Sequence, residues 1–403
     1  MNEYYYVCSD CNSVFSKEEI EKEQFQYLCP NCGKLEKNMP LRGVLSVRYD
    51  YENLKNIYTR EYFEKLQPGK FWDYAALFPI EVDNKLQVVG LNENQLVRLT
   101  LLQQQIFKYP YRNNEIFLMD ETRNPTLSFK DRASSLVAVK ALQNGIKTIA
   151  AASTGNAGSS MAGIGAKLGL EIIIYAPKKI PESKRIQIAS FGAKLKIVNG
   201  DYDLAFDECL EDSFNQNLFN RNTAYNPLTI EGKKSAAFDI FISTRGNLPD
   251  NIFIPVGDGV IIAGIYKGFW DLKQLGLIEK IPHLIAVQAE GSPAVVDYIK
   301  TGKFEYHSAS TIADSISAGA PRNLFMAAKS VINTNGIGIK VTDNEILTAQ
   351  KEIAYKFGIL SEPSSASVFA AFKKNYEDYA ADKNLLLITG NGLKDIDAIK
   401  RWI

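Results

Sequence analysis

The sequence predicts an α/β protein of two parallel-sheet domains, preceded by an N-terminal zinc-ribbon-like module. Three observations carry this expectation. From about residue 113, short aliphatic or β-branched runs alternate with periodic helical segments, the pattern of βαβ units. Ahead of them, four of the 5 cysteines form two Cys-x2-Cys pairs. A chain of 403 residues is also long enough for two cores and a small appendage.

In chain order, the first element is the cysteine module. Cys8, Cys11, Cys29 and Cys32 present four thiolates at a spacing suited to one tetrahedral zinc ion. Two disulfides fit poorly with a chain whose start, MNEYYYVCSDC, lacks the basic-then-apolar layout of a signal peptide. With every ligand position taken by cysteine, no open site is left for a reactive water, so the expected zinc is structural. The segment between the pairs is acid-rich, which argues for a stapled module rather than a nucleic-acid finger. Cys209 stands alone in a helical pattern and reads as packed. Residues 41 to about 85 are polar and aromatic, broken by a turn at Gln67-Pro68-Gly69.

The strands expected next are Glu115–Asp120, Lys147–Ala152, Glu171–Ala176, Lys194–Asn199, Asn251–Pro255, Leu284–Gln288 and Leu385–Thr389. Between them, residues 155–168, 183–191, 260–275 and 343–357 read as helices. In sheets of this kind ligands bind beyond the carboxyl ends of the strands, and the polar motifs fall there.

Composition excludes several classes. Lys+Arg and Asp+Glu are each 46, leaving no basic excess for nucleic acid or an anionic membrane. No apolar run reaches the length of a membrane span. A cytoplasmic location is the expectation. The only histidines, His283 and His307, lack neighbours at metal-ligand spacing, which argues against histidine-centred catalysis.

Four motifs carry chemistry. Asn124-Pro125-Thr126-Leu127-Ser128-Phe129-Lys130-Asp131-Arg132 sets a lysine at the start of a helix that follows a strand, the rigid and desolvated setting a Schiff-base lysine needs. Ser153-Thr154-Gly155-Asn156-Ala157-Gly158 joins a strand to a helix. Free N–H groups there suit an anion such as a carboxylate, while Ser153 or Thr154 as a simple N-cap is the alternative. Pro255-Val256-Gly257-Asp258-Gly259-Val260-Ile261 is a glycine turn whose N–H groups can converge on a phosphate. It lacks the ending of a P-loop and the spacing of a dinucleotide fingerprint. Last, a buried strand ends in Thr389-Gly390-Asn391-Gly392, where the hydroxyl offers a neutral partner for a ligand nitrogen or merely closes the strand.

Together with Ser315-Ile316-Ser317, Pro321-Arg322-Asn323 and Glu362-Pro363-Ser364-Ser365-Ala366, these motifs match in order and spacing, and the chain from about residue 75 onward resembles the threonine synthases. That family belongs to the fold type II pyridoxal-phosphate enzymes. The resemblance implies the following site. Lys130 would hold pyridoxal phosphate, Asn156 would meet the 3-oxygen of its ring, Gly257, Asp258, Gly259, Val260 and Ile261 would cradle its phosphate, and Thr389 would face its pyridine nitrogen. Ser153, Thr154 and Gly155 would hold the substrate carboxylate. Ser128 and Arg132 would serve the substrate phosphate or frame the lysine.

The resemblance further implies a module over residues 1–40, a large cofactor-binding domain from 41–112 and 226–403, and a small domain over 113–225. It also implies a homodimer and a small amino-acid substrate, O-phospho-L-homoserine, converted with water to L-threonine and phosphate. The rival within the same chemistry is a β-replacement or elimination enzyme of the cysteate synthase or serine/threonine dehydratase type. A rival of another class is a non-catalytic regulator, which would form no Schiff base. Three departures bear on the substrate: Leu127 stands where the family has glycine, Gly90–Leu96 lacks the family's threonine, and Asp258 puts a carboxylate in the phosphate turn.

Overall fold

The computed structural model describes residues 3–22, 25–99, 106–153, 155–178, 180–200 and 202–403. An antiparallel sheet in the order β2-β1-β3 opens the chain, from β1 (Tyr4–Cys8), β2 (Val14–Phe15) and β3 (Leu45–Tyr49). The largest sheet has six strands. It uses β4 (Ile106–Tyr111), β5 (Asn114–Asp120), β10 (Asn251–Pro255), β11 (His283–Ala289), β12 (Gly338–Val341) and β13 (Asn384–Ile388). Their order is β12-β11-β10-β13-β5-β4, parallel except for β4. A second, parallel sheet has the order β8-β7-β6-β9, from β6 (Thr148–Ala152), β7 (Glu171–Pro177), β8 (Lys194–Val198) and β9 (Phe219–Asn220).

Strands β10 and β13 are buried at every residue, as expected of central parallel strands covered on both faces. That is why their apolar runs were plain in the sequence. The edge strand β4 contains Pro110, which cannot donate to a ladder, and it pairs only with β5. Two sheet memberships depart from the expected division. Strand β3 completes the N-terminal sheet from beyond residue 40, and β5 pairs with β13 rather than with the strands of residues 113–225. Both depend on pairing with residues far away in the chain.

Six helices frame the site: α1 (Asp131–Gln143), α2 (Asn156–Leu168), α3 (Glu182–Ser190), α4 (Leu228–Ser243), α5 (Val260–Gln274) and α6 (Pro363–Lys374). Helix α4 is buried on all sides. Gly232 lets it approach the start of α1, where an added Cβ would meet the Arg132 carbonyl oxygen at 2.5 Å. Gly264 lets α5 approach α4, since a Cβ there would meet Lys233 Cβ at 2.8 Å.

The N-terminal sheet docks through buried tyrosines and charges. Tyr49 donates to Glu231 at 2.5 Å, Lys234 bridges Glu231 and Asp271 at 2.6 and 2.8 Å, and Tyr51 donates to Asp271 at 2.7 Å. On another flank, Lys140 pairs with Glu21 at 2.6 Å, and Tyr4 and Tyr6 donate to the same carboxylate. Such groups must be paired to be tolerated inside a protein, so they fix the docking register.

Candidate active site

The strand ends and the starts of α1, α2 and α5 surround a cavity of about 780 Å³. Lys130, Ser153, Gly155, Asn156, Thr389 and the whole turn Gly257–Ile261 line it. Residues from four distant motifs are thus brought to one space. Thr154 lies outside the described residues.

Lys130 sits at the N-cap of α1, with its loop tied to the end of β13. Phe129 N–H donates to the Thr389 carbonyl at 2.8 Å, and Ser128 forms a bridge with Gly390. Ser128 Oγ accepts the Lys130 N–H at 3.3 Å and is itself fully buried. Burial, and next the charge of Arg221, lower the Lys130 pKa from 10.5 to about 8. Its amine is therefore partly neutral near physiological pH.

Arg132 faces away from the cavity. Its guanidinium pairs with Glu121 and Asp239, both at 2.7 Å, and donates to Ser235 at 2.8 Å. All three partners are buried. Of the two roles expected of Arg132, framing the lysine helix agrees with this placement and binding a substrate phosphate does not, because its donors face buried carboxylates.

Leu127 has φ +65°, the left-handed region that glycine adopts without cost. The departure from the family's glycine is thus one of residue type and not of loop shape. The Gly90–Leu96 departure is a helix start: Gln95 N–H donates to Asn92 Oδ1 at 2.9 Å and Asn92 N–H to Gln95 Oε1 at 3.0 Å.

At the glycine turn, Gly259 has φ +85°, and an added Cβ would meet Ala327 Cβ at 2.6 Å. A Cβ on Gly257 would meet Ile316 Cα at 2.9 Å. Both positions need glycine to keep the N–H groups converging at the start of α5. Asp258 turns its carboxylate toward the Arg322 N–H, at 3.2 Å, and burial raises its pKa.

Ser153 Oγ accepts the N–H groups of Gly155 and Gly158 at 3.1 and 2.9 Å, so it caps its own turn. The remaining first-turn N–H groups of α2 have no acceptor within the helix. Asn156 donates through Nδ2 to Glu362 at 2.6 Å and to Ser315 at 3.2 Å, and its buried Oδ1 is without a partner among the described residues. Lys184, on α3, lies 2.8 Å from Asp314 and 3.6 Å from Glu362. Burial opposes its charge, but the two carboxylates outweigh burial and raise its pKa.

Ser365, at the start of α6, anchors the fourth motif. Its Oγ accepts N–H groups from Thr389 at 3.0 Å and Gly390 at 2.9 Å. With both lone pairs used, its proton goes to Thr389 Oγ1, 3.0 Å away, or to the Gly390 carbonyl, 3.4 Å away. That leaves the Thr389 hydroxyl free to donate toward the cavity.

Sequence reasoning gave no role to Lys184, Ser315, Glu362 or Ser365. The segment Glu362–Ser365 was visible as a motif. Lys184 looked like one more lysine of an amphipathic helix, and nothing local could mark it.

In the cysteine module, the four Sγ atoms lie within 4.8 Å of one another. Cys8 and Cys32 approach to 3.4 Å, Cys11 and Cys29 to 3.6 Å, and all are free thiols. Those separations suit ligands of one tetrahedral ion, whose metal–sulfur bonds are about 2.3 Å long. Among the described residues no helix is long and apolar enough to cross a membrane.

Residues 94–390 match the family of pyridoxal-phosphate dependent enzymes. The chain belongs to that family, in its threonine synthase branch. It is 32% identical to the threonine synthase of Methanocaldococcus jannaschii, over 98% of this chain and 94% of that protein. It is 32% identical to the threonine synthase of Methanosarcina acetivorans, over 97% and 92% of the two chains. Among solved structures, threonine deaminase isoform 2 of Solanum lycopersicum superposes with a TM-score of 0.62 at 19% identity, covering 93% of this chain and 98% of the other. That likeness is one of fold.

The cavity fits pyridoxal phosphate. It offers an amine near neutrality, a turn where two side chains would clash, an unclaimed amide oxygen and a free hydroxyl donor.

Proposed function

We propose that this chain is a threonine synthase, converting O-phospho-L-homoserine and water to L-threonine and phosphate. The observation that carries the reading is the convergence, on one cavity, of Lys130, Asn156, the Gly257–Ile261 turn and Thr389, in a chain similar to threonine synthases over nearly its whole length. Lys130 would hold pyridoxal phosphate, with its phosphate in the Gly257–Ile261 turn, its ring oxygen near Asn156 and its ring nitrogen facing Thr389. When bound, this cofactor supplies an electron sink for a carbanion.

The chain's own residues do the rest. With the substrate's amino group bound in its place, Lys130 would be a free amine on the cavity wall, in the buried setting that favours its neutral form. It can remove the Cα proton and return protons later. Glu362 and Ser315 fix the plane of the Asn156 amide. Lys184 is already claimed by Asp314 and Glu362, so its part is to hold that wall in place. Ser153 shapes the α2 turn, and Gly155 with the following N–H groups would receive the substrate carboxylate, with Thr154 beside them. The hydroxyl of Thr389 carries no charge, so it would leave a cofactor nitrogen facing it largely unprotonated. A carboxylate there would favour the protonated form.

We further propose structural zinc at Cys8, Cys11, Cys29 and Cys32, a cytoplasmic location, and a homodimer. Zinc is supported by the sulfur separations, and reduced thiols agree with the cytoplasm. The dimer rests on family resemblance, and sedimentation equilibrium would test it.

The deciding experiment is a substrate panel on protein loaded with pyridoxal phosphate. Phosphohomoserine should yield threonine and one equivalent of phosphate. Phosphoserine with sulfite, and threonine alone, should be turned over far more slowly. Failure to release phosphate from phosphohomoserine would refute the assignment, and turnover of either alternative would name its replacement.

A further inference from the structure

Two buried basic side chains near the glycine turn have polar atoms with no partner among the described residues. Lys233 of α4 is fully buried, and its Nζ makes no hydrogen bond to any of them. Arg221, just after β9, is also fully buried. Its Nη1 donates to Thr223 at 3.0 Å, but Nε and Nη2 have no partner. Thr223 lines the cavity.

The helix packing shows what Lys233 faces. It lies where α4 presses on α5 at Gly264, one turn beyond the glycine loop. The preceding residue, Gly232, presses on the start of α1, beside Lys130. Lys233 is therefore wedged between the two helix starts that carry the glycine turn and the lysine. Burial first, and then the neighbouring Lys130 and Arg221, hold its pKa well below the ordinary lysine value, while Asp258 acts the other way.

Two fully buried basic side chains with unpartnered nitrogens thus lie near the turn that carries the Asp258 carboxylate, in a region from which water is largely excluded. An unpaired buried ammonium or guanidinium is costly unless an anion meets it. A phosphate monoester dianion is such an anion, and the converging N–H groups of the turn suit the same ligand.

We infer that Lys233 and Arg221 are counter-ions of the dianion seated at Gly257–Ile261, that this dianion is the cofactor's phosphate, and that Lys233 offsets the negative charge of Asp258. The inference rests on the reading of the chain as a pyridoxal-phosphate enzyme. It explains how a carboxylate is tolerated in a phosphate-binding turn: the charge it subtracts is returned by a lysine on the neighbouring helix.

The test uses the full-length chain, its Lys233→Met variant and the charge-keeping Lys233→Arg variant. Dissociation constants are measured by absorbance titration with pyridoxal phosphate and with pyridoxal, which has no phosphate. Losing a charge-assisted contact of about 1.5–3 kcal/mol corresponds to a roughly 10- to 150-fold weaker binding of pyridoxal phosphate. Pyridoxal affinity should stay within about twofold, and Lys233→Arg should keep most of the affinity for pyridoxal phosphate. The apo form of Lys233→Met should melt higher than wild type, because an unpartnered buried amine is gone, while the rise in Tm on adding inorganic phosphate should shrink. A merely structural lysine would give the opposite sign in the apo protein. Should Lys233→Met fail to fold, Arg221→Gln carries the same binding expectation.

Unchanged affinity for pyridoxal phosphate in Lys233→Met would overturn the inference. So would a loss confined to the KM for phosphohomoserine, which would move the dianion to the substrate. If wild type itself forms no bound chromophore, the cofactor reading falls first, and the two failures are distinguishable.

Discussion

Replacing Ser365 by alanine removes one oxygen and strands two donors. Ser365 is fully buried, and its Oγ is the acceptor for the N–H groups of Thr389 and Gly390, at 3.0 and 2.9 Å. Leaving a buried N–H without a partner costs about 1–3 kcal/mol, and two of them cost about 2–6 kcal/mol. The lower half of that range applies, since the freed Thr389 hydroxyl can turn to meet one of them, giving an expected loss of about 3 kcal/mol. Ser367→Ala is the control. Ser367 is equally buried, but its hydroxyl only donates back to the Ser364 carbonyl at 2.8 Å, so its removal strands no N–H, and a loss under about 1 kcal/mol is expected. Urea unfolding of the apo protein measures both, with unchanged slope and a lower midpoint for Ser365→Ala. The same variant should bind pyridoxal phosphate more weakly, because Thr389 has lost the group that aims its proton. A Ser365→Ala loss no larger than that of Ser367→Ala would refute the view that this hydroxyl anchors the motif.

Three further expectations follow from single residues. At Leu127, with φ +65°, Leu127→Gly should be more stable than Leu127→Ala by about 0.5–1 kcal/mol, reversing the order found inside helices; thermal unfolding of the pair decides it, and alanine equal to or above glycine would show that no strain resides there. Lys130 has a folded pKa of about 8, below its ordinary 10.5, so the unfolded chain binds more protons between those values. Apo stability should therefore rise with pH across that window and lose this dependence below about pH 8, and uptake of pyridoxal phosphate, followed by stopped-flow absorbance, should accelerate with a midpoint near about 8; a midpoint near 10 would contradict the burial argument. Cys32→Ser should abolish bound zinc, measured by elemental analysis, and expose the N-terminal sheet to protease before the rest of the chain, since β1 contains Cys8 and pairs with β3; full zinc content in the variant would remove Cys32 from the ligand set.

Much of the framework was legible because it depends on local patterns. Strand Asn251–Pro255 and the helix Asp343–Phe357 have the bounds read from the sequence, the first from an apolar run, the second from its periodicity, and the structure adds a capping box at Thr342 and Glu345. Strand β12, four residues with an interposed lysine, carries no such signal and is made by its pairing with β11. Strand β9 is only two residues long and exists through its neighbour β6.

The sequence by itself determined the reaction class, through the resemblance that its four motifs carry together. The lysine at a helix start, the two glycine turns and the threonine at a strand end are short-range patterns, since turn shape and helix start depend on residues a few positions apart. Only the tertiary structure decided which polar side chains are paired and which are spare. Arg132 and Arg221 look alike in a sequence, yet one is met by Glu121 and Asp239 and the other has nitrogens with no partner. Lys233 and Lys234 are adjacent, yet Lys234 bridges Glu231 and Asp271 while Lys233 is unpaired. The energy of a buried charge depends on what lies within a few ångströms of it, and packing of helices distant in the chain determines that.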